Sequence, residues 1–171
     1  MAYDFRNVRV LVVECSPAMT QLLRSVLHML TIPPQNVFDA YTPEEAFAKF
    51  QHYKHDLVIT DWLENPDMGI KLTEMIRKNK NSPNAYVPII MTAGSAHYKR
   101  VVKARDAGIS DYVVKPFSAR LFASRITRVI EDRRPFVESE DFLGPDRRRK
   151  QDLEYDGEER REASNSTEDE A

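Results

Sequence analysis

Five short apolar runs, each followed by apolar residues at helical spacing, leave this chain few folds to choose from. The runs are VRVLVV at 8–13, a weaker one at 36–40, DLVIT at 56–60, VPIIMT at 87–92 and DYVV at 111–114. Rich in β-branched residues and apolar on successive positions, they predict strands covered on both faces in a parallel sheet. After the first run, Ser16 and Pro17 read as an N-cap and a first helical turn. Met19, Leu22, Leu23, Val26, Leu27 and Leu30 then recur at helical spacing, and Pro33 and Pro34 end that helix. Thr42-Pro43-Glu44-Glu45 has the pattern of a capping box ahead of Ala46, Phe47 and Phe50. Gly69 precedes a third helix with Ile70, Thr73 and Ile76 on one face. A fourth, at 96–107, is expected to stop at Gly108. Ser118 caps a fifth, whose Leu121, Phe122, Ile126, Val129 and Ile130 are expected to face inward.

Strand–helix repeated five times predicts an α/β domain: a doubly wound, five-stranded parallel sheet with helices on both faces. The 171 residues suit one such domain at 1–131 and an appendage at 132–171. No apolar stretch reaches the roughly eighteen residues of a membrane span, so no membrane association is expected. The single cysteine, Cys15, rules out an internal disulfide and fits a reducing, cytoplasmic setting. Residues 1–131 carry 17 Lys/Arg against 13 Asp/Glu, a net +4, whereas 132–171 carry 8 against 14, a net −6. A mildly basic core of this kind is no nucleic-acid signature.

In open parallel sheets ligands bind beyond the carboxyl ends of the strands. The residues there are Glu14, Asp61, Thr92 and Lys115. Two neighbouring carboxylates repel, and a divalent ion such as Mg²⁺ relieves that repulsion through hard oxygen ligands. A lysine and a hydroxyl beside them suit an anion carried on an aspartate, and an aspartate nucleophile toward phosphorus is a known chemistry. Each residue alone has a plain reading as a cap, turn or surface charge. Four at consecutive strand ends do not.

The segments VLVVECSPAMTQLLRSVL, DLVITDW, GIKLTEMIR, VPIIMTA and DAGISDYVVKPF carry a specific resemblance. Over 7–131 the chain resembles a response-regulator receiver domain of two-component signal transduction, of the stand-alone bacterial type. The resemblance implies a flavodoxin-like strand order 2-1-3-4-5. It implies that Asp61 is phosphorylated by a histidine kinase or histidine phosphotransfer protein, with Thr92 and Lys115 completing the catalytic set. Thr92 and Tyr112 would form the switch. Mg²⁺ would be held by Glu14, Asp61 and the backbone carbonyl of Leu63. It implies a signalling protein rather than a turnover enzyme, acting on a downstream protein or as a homodimer through the face of the fourth helix, fifth strand and fifth helix. Two positions depart from the family's pattern. Cys15 stands where a second acid is usual, and a thiol is a poor ligand for a hard ion. Past Asp61, Asn65 takes the usual proline position and the proline is Pro66, while Gly69 keeps its place. A pseudo-receiver that acts as a scaffold without phosphorylation is the alternative.

Beyond about residue 134 there is no helix-turn-helix pattern, zinc spacing or Gly-rich nucleotide loop. RRPFVESEDFLGPDRRRK holds two small apolar clusters around the turn signal Gly144-Pro145-Asp146. It is similar to FxGPDRRR-type extensions of some single-domain receivers. Residues 135–150, with Phe136 and Phe142, are a candidate docking segment. The run at 147–150 is too short to predict nucleic-acid binding, and 151–171 is polar and acidic enough to predict disorder.

Overall fold

The computed structural model describes residues 3–62, 67–131 and 134–146. The elements alternate as expected: β1 (Val10–Val13), α1 (Pro17–Met29), β2 (Val37–Ala40), α2 (Pro43–His52), β3 (Leu57–Asp61), α3 (Met68–Lys78), β4 (Ile89–Ala93), α4 (Tyr98–Ala107), β5 (Asp111–Val114) and α5 (Ala119–Glu131). The five strands pair in parallel in the order β2-β1-β3-β4-β5.

The pleat of the strands divides the core in two. Leu11, Val13, Val58, Ile89 and Met91 point to one face, where Phe47, Phe50, Ile70, Leu72, Ile76 and Ala104 of α2, α3 and α4 cover them. Val10, Val12, Leu57, Ile59 and Ile90 point to the other, under Leu23, Val26 and Leu27 of α1 and Phe122, Ile126 and Ile130 of α5. Each fully buried Val, Leu, Ile, Phe or Met side chain among these contributes about 1.5–3 kcal/mol. Leu121 departs from expectation. It is 43% exposed, because it lies beside the stripe that Phe122, Ile126, Val129 and Ile130 lay against the sheet.

Local chemistry sets the helix ends. The Ser16 hydroxyl accepts the Met19 amide, and the Thr42 hydroxyl accepts the Glu45 amide. Glu45 returns a bond to the amide of Tyr41, one residue ahead of the cap. Leu121 donates its amide to Ser118. Gly108 ends α4 at φ 100°, in the left-handed region that favours glycine.

Within the candidate docking segment at 135–150 the structure adds regular elements that the sequence did not mark. Residues 136–138 and 143–145 form an antiparallel hairpin, β6 (Phe136–Glu138) and β7 (Leu143–Pro145), which packs on α3 and α4. The folded part of the described chain therefore runs to 146. The basic run at 147–150 and the acidic stretch at 151–171 lie outside the described residues. No helix among the described residues is long and apolar enough to cross a membrane.

Candidate functional site

The register of the sheet assembles the site. Asp61, the last residue of β3, sits opposite Thr92 on β4, and Glu14 and Lys115 follow directly on β1 and β5. The Lys115 ammonium bridges the two acids, with Nζ 2.7 Å from Glu14 Oε2 and 2.8 Å from Asp61 Oδ1. The Thr92 hydroxyl donates to the same Asp61 oxygen at 3.4 Å. The four strand-end residues predicted from sequence are thus brought together, although they are spread over a hundred residues of chain.

Burial makes these contacts count. Glu14 is 4% exposed and Thr92 fully buried, while the Asp61 side chain keeps 18% exposure. Burial pulls the Lys115 ammonium down, but its hydrogen bonds to Asp61 and Glu14 outweigh this and hold it above the ordinary lysine value. The two acids thus favour the charged form of Lys115. Glu14 also accepts the Ser16 amide through Oε1 at 2.9 Å. It thus meets the start of α1, the plain cap reading the sequence offered, as well as the ammonium, and the structure has it doing both.

Gly69 brings the start of α3 against the backbone of Asp61 and Trp62. A Cβ there would lie 2.3 Å from the Asp61 carbonyl oxygen, so only glycine lets α3 start against the acid's own backbone. Trp62 is buried, donates its amide to the Thr92 carbonyl at 2.8 Å and accepts the Gly69 amide at 3.0 Å. Leu63, Asn65 and Pro66 lie outside the described residues.

Tyr112 is half-buried and donates its hydroxyl to the Ser95 carbonyl at 2.7 Å. It is thereby tied to the turn between β4 and α4. Burial raises its phenol above the ordinary value; Asp61 adds to the shift and Arg100 opposes it. The charged face expected around α4 is partly paired within itself. Asp111 is held by Arg125 and Arg128, and Lys103 pairs with Asp67. Arg100 lies over the Trp62 ring, 5.1 Å from its centroid.

For a divalent ion the donor set is lean. Glu14 and Asp61 lie close enough to share one ammonium, and Mg²⁺ is commonly held through one or two carboxylates with water completing the shell. The two acids fit that requirement. Cys15 does not add to it: its thiol donates to the Tyr41 carbonyl at 3.4 Å. Burial, then Glu14 and Asp61, raise its pKa, which keeps it protonated. No cluster of three or more His, Cys, Asp or Glu suited to a metal occurs among the described residues.

The fold and the gathered strand ends define an α/β domain of the flavodoxin-like class. Residues 10–127 match the response regulator receiver domain family, and the chain belongs to it. Among similar proteins are the chemotaxis protein CheY-3 of Vibrio cholerae, 25% identical over 126 residues that make up 74% of this chain and 94% of that protein, and the chemotaxis protein CheY of Pseudomonas aeruginosa, 25% identical over 72% of this chain and 97% of that one. Similar folds include Vibrio cholerae CheY4, with a TM-score of 0.63 at 23% identity over 71% of this chain and 98% of that one. A CheY-like receiver domain protein of Methanospirillum hungatei gives a TM-score of 0.64 at 23% identity over 74% of this chain and 95% of that one. CheY-like receivers are signalling proteins rather than classical turnover enzymes, generally bind Mg²⁺, and interact with histidine kinases and downstream proteins.

Proposed function

We propose that this chain is a phospho-accepting switch in which Asp61 takes a phosphoryl group from a phosphohistidine on a histidine kinase or phosphotransfer protein. The observation that supports it is the single ammonium of Lys115 lying within 2.8 Å of both acids, with the Thr92 hydroxyl on the same Asp61 oxygen. A carboxylate oxygen of Asp61 attacks phosphorus; a P–O bond forms, the P–N bond breaks, and the imidazole leaves with the electron pair. Lys115 balances the charge gathering on the phosphoryl oxygens, and the Thr92 hydroxyl donates to one of them. Glu14 holds Lys115 in place. Glu14 and Asp61, with Leu63 as the expected backbone ligand, would hold Mg²⁺, which when bound would supply further charge neutralisation. Movement of Thr92 toward the acyl phosphate frees Tyr112 to turn, which reshapes the face of α4, β5 and α5 for a downstream protein or a second copy.

The test is intact-mass analysis after incubation with phosphoramidate and Mg²⁺. A phosphoryl adduct is expected on the native chain and none on Asp61→Asn. One feature favours the scaffold reading: Cys15 spends its thiol on Tyr41, and both Glu14 oxygens are already engaged within the protein. No adduct, together with no response to millimolar Mg²⁺, would establish that reading instead. Trp62, the only tryptophan, follows Asp61 directly, so its fluorescence reports the ion. Cys15→Asp is expected to tighten Mg²⁺ by about tenfold, the scale of a single coordination-shell change. An unchanged titration would show that position 15 does not face the ion.

A further inference from the structure

We infer that the C-terminal hairpin is a tethered ligand of the α3–α4 end of the domain, and that the state of Asp61 controls its docking through α4. The inference rests on the phosphorylation reading above and names the device that reading would drive.

The hairpin is a self-contained unit. Phe142 and Ser139 exchange backbone hydrogen bonds at 2.8 and 3.3 Å, and the Asp146 amide donates to the Pro135 carbonyl at 2.7 Å. It is seated on one residue cluster. Arg77 of α3 is 3% exposed and forms no ion pair among the described residues. Its Nε donates to the Gly108 carbonyl at 3.0 Å and its Nη1 to the Ala85 carbonyl at 2.8 Å. The Phe136 ring covers the guanidinium at 5.1 Å and meets Tyr86 edge-on at 5.3 Å. The Phe136 ring thus helps to satisfy a buried cation that meets no carboxylate among the described residues, with Nη2 buried and without a hydrogen-bond partner among them.

The backbones meet beside this cluster. A Cβ on Gly108 would lie 2.3 Å from the Leu143 carbonyl oxygen, and one on Gly144 would lie 2.9 Å from the Gly108 Cα. Close-packed backbone tolerates displacement in neither direction: movement together clashes, and movement apart forfeits the contact. Contact between hairpin and domain is not continuous. A cavity of about 260 Å³ runs between Tyr86, Pro88, Ser110 and Arg128 of the domain and Phe136 and Pro145 of the hairpin. The grip is therefore concentrated at Arg77 and Gly108.

Gly108 is the C-cap of α4, and the earlier turns of α4 are fastened to the site. Arg100 lies on Trp62 and Lys103 pairs with Asp67, the described residues that border the loop after Asp61. The turn leading into α4 is held by Tyr112 through Ser95. Ten residues of helix, about 15 Å, thus join the acceptor loop at one end to the hairpin seat at the other. Rearrangement at Asp61 displaces α4, the contact of Gly108 with Leu143 and Gly144 is lost, and the hairpin lifts as a unit. An isolated two-stranded hairpin is marginal in water, so its amides then exchange freely.

Hydrogen–deuterium exchange of the full chain, with Mg²⁺ alone and with Mg²⁺ plus beryllofluoride, tests this. The expected result is exchange at 136–145 faster by about tenfold or more under beryllofluoride, with no change in Asp61→Asn. A Gly144→Ala chain gives the exchange of a released hairpin for reference. In Arg100→Ala/Lys103→Ala, peptides around Thr92 are expected to respond while 136–145 no longer does; a full response there would overturn the route through α4. If peptides at the site respond in the native chain and 136–145 does not, the inference is overturned and the receiver reading stands. If no peptide responds, the receiver reading fails and the inference falls with it.

Discussion

Gly108→Ala is expected to release the C-terminal hairpin while the five-stranded sheet stays folded, and to lower global stability by about 2 kcal/mol. Two effects add. At φ 100° the residue lies in left-handed backbone, which costs an L side chain roughly 1–2 kcal/mol. The new Cβ also falls 2.3 Å from the Leu143 carbonyl oxygen and 3.2 Å from Arg77 Nε. The Arg77 side chain can yield by a few tenths of an ångström, but a carbonyl oxygen fixed in β7 cannot. Lifting the hairpin removes the clash at the loss of a small interface, whereas distorting α4 would disturb the core through Ala104 and Ala107. Gly144→Ala separates the two effects. Its Cβ would meet the Phe142 ring at 2.6 Å and the Gly108 Cα at 2.9 Å, without left-handed strain. It should release the hairpin and lower the urea midpoint less. Urea unfolding with exchange at 136–145 checks both. Native protection at 136–145 in both variants would sink the account of the seat.

The hairpin was the part of the fold least legible in the sequence, and the reasons are physical. Its strands are three residues long and contain Gly144 and Pro145, residues that strand patterns exclude. What holds it is remote: Arg77 reads as an ordinary basic residue at a helix end, and nothing near 77 announces Phe136. By contrast, β1 and β3 were legible because a strand covered on both faces must be apolar at every position. The site was legible for a related reason. Glu14, Asp61, Thr92 and Lys115 each end or follow an apolar run, and parallel strands bring such ends to one edge. What could not be read was which oxygen meets which donor. Glu14 was expected to serve a metal; its contacts to the Lys115 ammonium and the Ser16 amide were not legible beside that expectation. Leu121 shows the limit of periodicity. A single helical step separates it from Phe122, and that step decides between solvent and core.

His55 was equally hidden, as one polar residue in the stretch Gln51-His52-Tyr53-Lys54-His55-Asp56. It is 4% exposed, with both ring nitrogens buried. Phe38 meets its ring edge-on at 5.0 Å and Phe50 stacks on it at 5.8 Å. Burial drives its pKa from 6.5 down to about 4, and the opposing pull of the Tyr53 backbone and Asp56 is smaller. The folded chain therefore holds a neutral imidazole while the unfolded chain protonates near 6.5. Between these values the unfolded state binds the extra proton, so stability rises with pH. The contribution is complete above about pH 6.5 and is lost as pH falls toward 4, a difference of about 3 kcal/mol at pH 4. His55→Leu keeps an apolar group of similar size and has nothing to protonate. Urea midpoints from pH 7 to pH 4 should fall more steeply for the native chain than for His55→Leu, since the other titrating groups are common to both. Between pH 7 and pH 4 the stability difference between the two chains should shift by about 3 kcal/mol in favour of His55→Leu, whatever offset the packing change sets at pH 7. Parallel profiles would show that the ring takes up its proton inside the fold, and that the aromatic surround does not exclude the charge.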